Sequence, residues 1–328
     1  MNAKYFFPLF FAASAFGLNG CQDSINAGVD YRAEMRTFVQ KINARAELMR
    51  PGFLVVPQNG EALLTIDGKP GGTQATDFIN AIDGFGREEL FYGYNNQDDL
   101  LTPESEERTN WQQMCVLGNS LGKKILVTDY CQTTSKADDS YTRNNALGFI
   151  STAADSRELD KIPAYPALPY NVNTANTGGL NGSNFLYLIA PDKFETKEAY
   201  LQALEQSRFD IFILDLFWDE PTPLTPADLA RLRNKPGGGT RTLLCYMSIG
   251  QAESYRYYWN NGWNAQPPSF IDIEDPSWLD NYYVRYWDQN WQEIICGTTN
   301  SYLRRVVDAG FDGVYLDLVN AYEFYEQR

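Results

Sequence analysis

Histidine is absent from this chain. Its absence removes Ser–His and Cys–His nucleophile pairs and every imidazole metal ligand. Cysteine is scarce: after Cys21 only Cys115, Cys131, Cys245 and Cys296 remain, and none has the close spacing of a metal site. In an exported chain these four could pair in three ways, although Cys245 falls within an apolar strand pattern and reads as a buried thiol. Basic charge is also short, with 27 Lys and Arg against 42 acids and a net charge of −15. That balance argues against a nucleic-acid partner, because phosphates demand basic surfaces, and against adhesion to anionic lipid headgroups. An acidic face suits a neutral or cationic ligand instead. No glycine-rich phosphate loop follows any strand, and no calcium-loop spacing occurs, so no cofactor and no metal is implied. Chemistry falls to carboxylates, tyrosines and amides.

Long apolar runs are few as well. One, from Tyr5 to Phe16, follows Lys4 and leads to Leu18-Asn19-Gly20-Cys21. A charged start, an apolar core and a small residue at the cut mark residues 1–20 as a secretory signal. The cysteine just after the cut resembles the bacterial lipobox, in which Cys21 is lipidated, although Asn19 is a less usual residue there. The run is too short to span a bilayer comfortably, and no later segment spans one. The expectation is an exported protein, lipid-anchored through Cys21 to a bacterial membrane on its periplasmic or outer face, with residues 21–29 as a tether. An uncleaved anchor or an ordinary signal peptide is the plainer alternative.

What the rest of the chain has is core-forming material: 44% hydrophobic residues and 14% aromatics, enough for one large domain over residues 30–328. Eight short apolar runs read as buried parallel strands: Phe53–Val56, Ala81–Phe85, Lys124–Thr128, Phe185–Ile189, Asp210–Leu214, Thr242–Met247, Tyr283–Tyr286 and Gly313–Leu316. Helical patterns alternate with them. Asp30 can cap a helix whose Met35, Phe38, Val39, Ile42, Ala46 and Met49 share a face. Thr225-Pro226-Ala227-Asp228 reads as a helix cap with Pro at the first helical position and an acid at the third. Alternation of this kind predicts an α/β fold, a (β/α)₈ TIM barrel; a doubly wound open sheet is the runner-up. Residues 162–184, rich in Pro, Gly, Asn and Thr, read as a flexible internal linker.

The second half resembles a known family in Phe209–Asp215, in Leu244–Arg256 with Tyr246, Ser248 and Glu253, in Val284–Trp291, and in Gly310–Asp317. That family is the glycoside hydrolases typified by endo-α-1,4-polygalactosaminidases. The first half resembles the part of the family that would normally follow: Gly52–Gly60, Ile82–Phe91 and Lys124–Tyr130, with Gly148–Leu159 like its C-terminal tail. The resemblance therefore implies a circularly permuted barrel, its chain ends falling between strand five and its helix. Gly313–Leu316 would be that strand, and Asp30–Arg50 would supply the helix that does not follow it.

Barrels gather reactive groups at the C-terminal ends of their strands. Here those ends carry Gln58 and Asn59, Glu88, Asp129 and Tyr130, Asp215, Tyr246 and Ser248, Trp287, and Asp317. Acids, amides and aromatics in one rim suit a polysaccharide, and glycoside hydrolysis needs two carboxylates across the scissile bond. The resemblance implies Asp317 and Glu88 as that pair, with Asp317 leaning to nucleophile and Glu88 to general acid/base. Asp215, Tyr246, Ser248, Glu253, Arg256, Trp287, Asp129, Tyr130, Gln58 and Asn59 are candidates for substrate binding. The bland readings are a buried charge network for Asp215, a mutual ion pair for Glu253 and Arg256, core packing for the aromatics and a turn for Gln58-Asn59. Family members commonly carry a second acid where this chain has Asn320, which puts a galactosamine substrate in doubt. The expected activity is hydrolysis of an α-linked polymer, polygalactosamine-like polymers included, by a monomer. A glycan-binding lipoprotein without catalysis is the alternative.

Overall fold

A computed structural model describes residues 28–328. The expected signal at residues 1–20, Cys21 and nearly all of the expected tether at 21–29 lie outside the described residues. No helix within them is long and apolar enough to cross a membrane.

The fold is mixed α/β with a mostly parallel central sheet. Its parallel strands are β1 (Leu54–Pro57), β2 (Gly84–Glu88), β3 (Lys124–Tyr130), β4 (Ile150–Ala154), β5 (Phe185–Leu188), β6 (Ile211–Leu214), β7 (Thr242–Ser248) and β8 (Gly313–Asp317). Hydrogen bonding joins five of them in the order β1-β8-β7-β6-β5 and the other three as β2-β3-β4. The two groups meet at a parallel bridge between Gln58 and Gly86. There Asn59 N donates to Gly86 O at 2.8 Å, and Asp83 N donates to Val55 O at 3.0 Å. Past the ends of β4 and β5, Leu159 O accepts from Ile189 N at 3.0 Å and from Ala190 N at 3.3 Å.

Each strand serves two cores because successive side chains leave on opposite faces. Leu186, Phe212, Cys245, Met247, Val314 and Leu316 pack with the helices. Their neighbours Phe185, Tyr187, Ile211, Ile213, Leu244, Tyr246 and Tyr315 form a second core that contains no helical residue. Burial on both faces explains why these strands read as continuous apolar runs rather than alternating ones.

Seven of the eight expected strands are parallel members of this set. Tyr283–Tyr286 is not: the strand there is Asn281–Val284, paired antiparallel with Gln251–Glu253 and Ile271–Glu274. The eighth parallel strand is β4, in a stretch expected to be a tail. Its Ser151 and Thr152 are buried, so it lacks the apolar run that betrays the others. Gly313–Asp317 is therefore the fourth parallel strand counted from Phe185, not the fifth.

Helix α1 (Tyr31–Met49) begins where Asp30 Oδ1 accepts from Ala33 N at 2.9 Å, and it buries the expected Met35, Phe38, Val39, Ile42 and Ala46. It packs against β1 and against the helices Thr76–Asn80 and Tyr302–Ala309. An ion pair from Arg32 to Glu326, 2.8 Å long, ties it to the helix Tyr322–Glu326. The four cysteines Cys115, Cys131, Cys245 and Cys296 are all buried free thiols.

Residues 162–184 are held down rather than loose. Asp210 Oδ2 accepts from Asn173 Nδ2 at 2.8 Å and from Ser183 N at 2.7 Å. Lys235 Nζ reaches Asp210 Oδ1 at 2.6 Å, both side chains being fully buried. Removing one partner of a buried pair strands the other's charge, so Lys235→Met should cost about 3–5 kcal/mol in urea unfolding. Adding Asp210→Asn should recover a large part of that loss; a double variant no more stable than the single would show that the pair is not the cause.

Candidate active site

The C-terminal ends of the parallel strands surround a cavity of about 440 Å³, within the range of small-ligand sites. Glu88 enters it from the end of β2 and Asp317 from the end of β8, with β1 between them. Both are partly buried. Among the described residues neither forms an ion pair; their partners are neutral donors.

Glu88 Oε2 accepts from the Gln58 side-chain amide, and from Asn59 Nδ2 at 3.4 Å. Tyr187 fixes the orientation of Gln58 by donating its hydroxyl to Gln58 Oε1 at 2.9 Å. On the other oxygen, the Tyr130 hydroxyl meets Glu88 Oε1 at 2.5 Å. Asp317 is arranged alike: Leu318 N donates to Oδ1 at 2.7 Å, and the Tyr246 hydroxyl meets Oδ2 at 2.8 Å. Each carboxyl group thus has one oxygen on a fixed N–H donor and the other on a tyrosine hydroxyl that can turn either way. Burial, then the charge of Glu88, pushes the Asp317 carboxyl up from the ordinary 3.8 to about 7, against the hydrogen bonds of Tyr246 and Leu318.

Room for this arrangement comes from Gly86. A side chain there would collide with the ring and hydroxyl of Tyr315, which is fully buried against it.

Of the expected site residues, Asp317, Glu88, Asp215, Tyr246, Glu253, Arg256, Tyr130, Gln58 and Asn59 all line the cavity. Arg256 is also the centre of a buried ion network. It meets Asp215 with two bonds of 2.9 and 2.6 Å and Glu253 at 2.7 Å. Glu220 Oε1 lies 3.7 Å from it, and burial raises that carboxyl to about 7.

Three candidates lie elsewhere. Asp129 points away from its neighbour Tyr130, as strand alternation requires. It is fully buried, accepting from Phe91 N, Tyr92 N, Ser140 Oγ and Asn144 Nδ2 at 2.7–3.1 Å. Burial raises its pKa against those four bonds. It shapes the segment that follows Glu88. Ser248 Oγ donates to Gln251 O at 3.0 Å within a turn. Trp287 packs among Tyr31, Tyr286 and Tyr325, because the strand before it is not one of the parallel set.

Several lining residues escaped the sequence reading: Arg157, Glu158, Tyr187, Asp275 and Trp278, with Asn320 also at the wall. Arg157 and Glu158 follow β4, the strand misread as a tail. Arg157 lies 4.2 Å over the Tyr130 ring and pairs with Glu89 at 2.6 Å and Asp98 at 2.9 Å. Asn96, Arg157 and Glu158 also line a second depression of about 440 Å³, so the cleft continues past the carboxylate pair. Six acids face the main cavity against two arginines, both engaged with acids. The net lining charge is negative. Among the described residues no group of three or more Cys, Asp and Glu side chains is arranged to hold a metal ion.

Raising the Asp317 pKa has a stability consequence. Between about pH 4 and 7 the folded carboxyl keeps a proton that the unfolded chain has lost, so stability falls as pH rises through that window. Asp317→Asn removes the cost of ionisation while keeping an acceptor for Leu318 N. Its melting temperature should exceed the wild type's at pH 8, on the order of a few degrees, with the gap closing by pH 4. A gap independent of pH would contradict the assignment.

Residues 173–328 match the glycoside-hydrolase family GH114. The match spans β5 to β8, including Asp215, Tyr246, Arg256 and Asp317, and does not extend to Glu88. Uncharacterized proteins are also similar over parts of the chain: one of Deinococcus radiodurans is 40% identical over 39% of this chain. Another, of Thermotoga maritima, is 45% identical over 26%, and one of Methanocaldococcus jannaschii is 33% identical over 45%. The chain spans 39%, 25% and 40% of the length of those three relatives.

Proposed function

Because its residues 173–328 belong to the glycoside-hydrolase family GH114, which points to glycosidase activity, we propose that the chain hydrolyses a polysaccharide with Glu88 and Asp317 as its acid–base pair. The observation that carries this is the entry of both carboxyl groups into one cavity, without a cation to lock either charge. Two carboxyl groups in one cleft, with Asp317 able to hold a proton near neutrality, are what a general acid paired with a base or nucleophile requires. The continued cleft supports internal cleavage of a polymer. The negative lining supports a chain of amino sugars, and the α linkage rests on the polygalactosaminidase resemblance alone. The charged and apolar lead up to Cys21 supports export and lipid anchoring.

The reading includes a (β/α)₈ barrel. The strand series β5-β6-β7-β8-β1-β2-β3-β4, the second core without helical residues and the bonds to Leu159 beyond β4 all support closure. Circular permutation is supported by α1, which packs between the helix preceding β8 and the helix preceding β2. The break then falls after the fourth strand of the family order.

The sequence expectation makes Asp317 the nucleophile and Glu88 the acid/base. Burial favours the proton on Asp317, so this division requires it to pass to Glu88 as positive charge develops on the sugar. The reversible Tyr130 hydroxyl permits that. Azide added to Asp317→Ala should then give a glycosyl azide of inverted configuration; a retained azide would exchange the two roles.

The main test incubates the protein with α-1,4-linked galactosamine polymers and a panel of bacterial and fungal exopolysaccharides. Asp317→Asn and Glu88→Gln should each lose roughly 10²–10⁴-fold in rate. Cleavage that survives both changes would sink the assignment, and binding without cleavage by the wild type would favour the glycan-binding alternative. The doubly ionised pair is inactive whichever member carries the proton, so kcat/KM should fall on the alkaline side with a midpoint near the Asp317 value of about 7. A profile flat to pH 9 would contradict it.

A further inference from the structure

Of the seven tryptophans, Trp278 alone is exposed, with 45% of its surface open. It also lines the cavity. It sits in the turn between the antiparallel strands Ile271–Glu274 and Asn281–Val284. Asp275 builds that turn: its Oδ1 accepts from Ser277 N at 2.9 Å, and its backbone O accepts from Trp278 N at 3.2 Å. Across the turn Asp275 N donates to Asn281 O at 2.7 Å. Asp275 is in turn held by Gln251 Nε2 at 2.7 Å, with both residues buried and both at the cavity wall. The turn is therefore anchored to the end of the parallel sheet, and the ring is presented from a fixed base.

Beside it in the lining stand Ser277, Asn281, Asp275 and Tyr283. Tyr283 is itself stacked on Phe324, with centroids 3.9 Å apart and planes 6° from parallel. A flat apolar ring bordered by hydroxyl, amide and carboxylate groups is the chemistry that receives a pyranose: the ring covers the C–H face, and the polar groups take the equatorial hydroxyls or an ammonium.

We propose that Trp278 is the stacking platform of a saccharide subsite, set apart from the bond being cut, and that it binds substrate and transition state alike. This rests on the hydrolase reading, and its failure is separable from the failure of that reading. Uniform binding at a remote subsite appears in KM and not in kcat.

The probes are a hexamer of α-1,4-linked galactosamine, maltohexaose and a chitosan hexamer, tested on wild type, Trp278→Ala and Trp278→Phe. Two signals are read: cleavage, and the change in tryptophan emission on adding sugar. If a probe is cleaved, Trp278→Ala should raise its KM by roughly tenfold with kcat within twofold, and Trp278→Phe should restore most of the loss. An unchanged KM for Trp278→Ala would overturn the platform and leave the hydrolase standing. If nothing is cleaved but a hexamer quenches wild-type emission and not that of Trp278→Ala, the platform stands and the hydrolase reading falls. Neither cleavage nor quenching would overturn both.

Discussion

Glu88 and Asp317 face one cavity without a cation between them, and the surrounding architecture is arranged around that repulsion. Three other buried acids in the molecule have a counter-charge. Asp215 has Arg256 at 2.6 Å, Asp210 has Lys235 at 2.6 Å, and Glu61 has Arg87 at 2.8 Å. Such pairs fix the ionised form and hold the fold. The cavity pair is given amides, tyrosine hydroxyls and one backbone N–H instead. Neutral donors orient a carboxyl group while leaving its proton free to come and go, which an arginine would prevent. An unpaired carboxyl group raised by burial and facing a cleft, as Asp317 does, is the mark of a functional site.

Holding the pair requires help from both sides of the strands. Tyr187 on β5 orients Gln58 beyond β1, and Gln58 in turn supports Glu88 on β2. Three segments are thus joined in one chain of hydrogen bonds that ends on Glu88 Oε2. On the outer face Asp129 gathers the backbone of Phe91 and Tyr92, so the segment leaving Glu88 is drawn away from the cavity. Tyr130 and Asp129 are neighbours in sequence with opposite tasks. Gly86, lacking a side chain, lets the Tyr315 ring fill the space below the pair.

Most of the fold was legible because strands buried on both faces leave unbroken apolar runs. The two errors have one origin. β4 hides Ser151 and Thr152 in the interior, so its run is broken, and Asn281–Val284 is apolar and aromatic without belonging to the parallel set. Misreading β4 concealed Arg157 and Glu158, and misreading Asn281–Val284 promoted Trp287. Within the site, position at a strand end was a good guide to Glu88, Asp317, Gln58, Tyr130 and Tyr246. It failed for Asp129, where the parity of the strand decides and the exact end of β3 had to be known. Trp278 left no signal, since a residue in a surface turn has neither period nor flanking pattern. The network of Asp215, Glu253 and Arg256 was half visible: the spacing of Glu253 and Arg256 suggested the pair, while Asp215 arrives from another strand.

The charge of the cleft bears on Asn320, where the sequence departs from what the family resemblance implies. Asn320 stands at the cavity wall where the family resemblance implies an acid, and taken alone this weakens the case for a cationic sugar. Yet the cavity also draws Glu158 from the segment after β4 and Asp275 from the antiparallel hairpin. Arg157, the nearest cation in sequence to Glu158, is occupied by Glu89 and Asp98. Arg256 is occupied by Asp215 and Glu253. The negative potential of the cleft is therefore supplied by several elements rather than by one residue beside Asp317. An ammonium group on the sugar would be met by that shared field, and the amino-sugar reading does not stand or fall with Asn320.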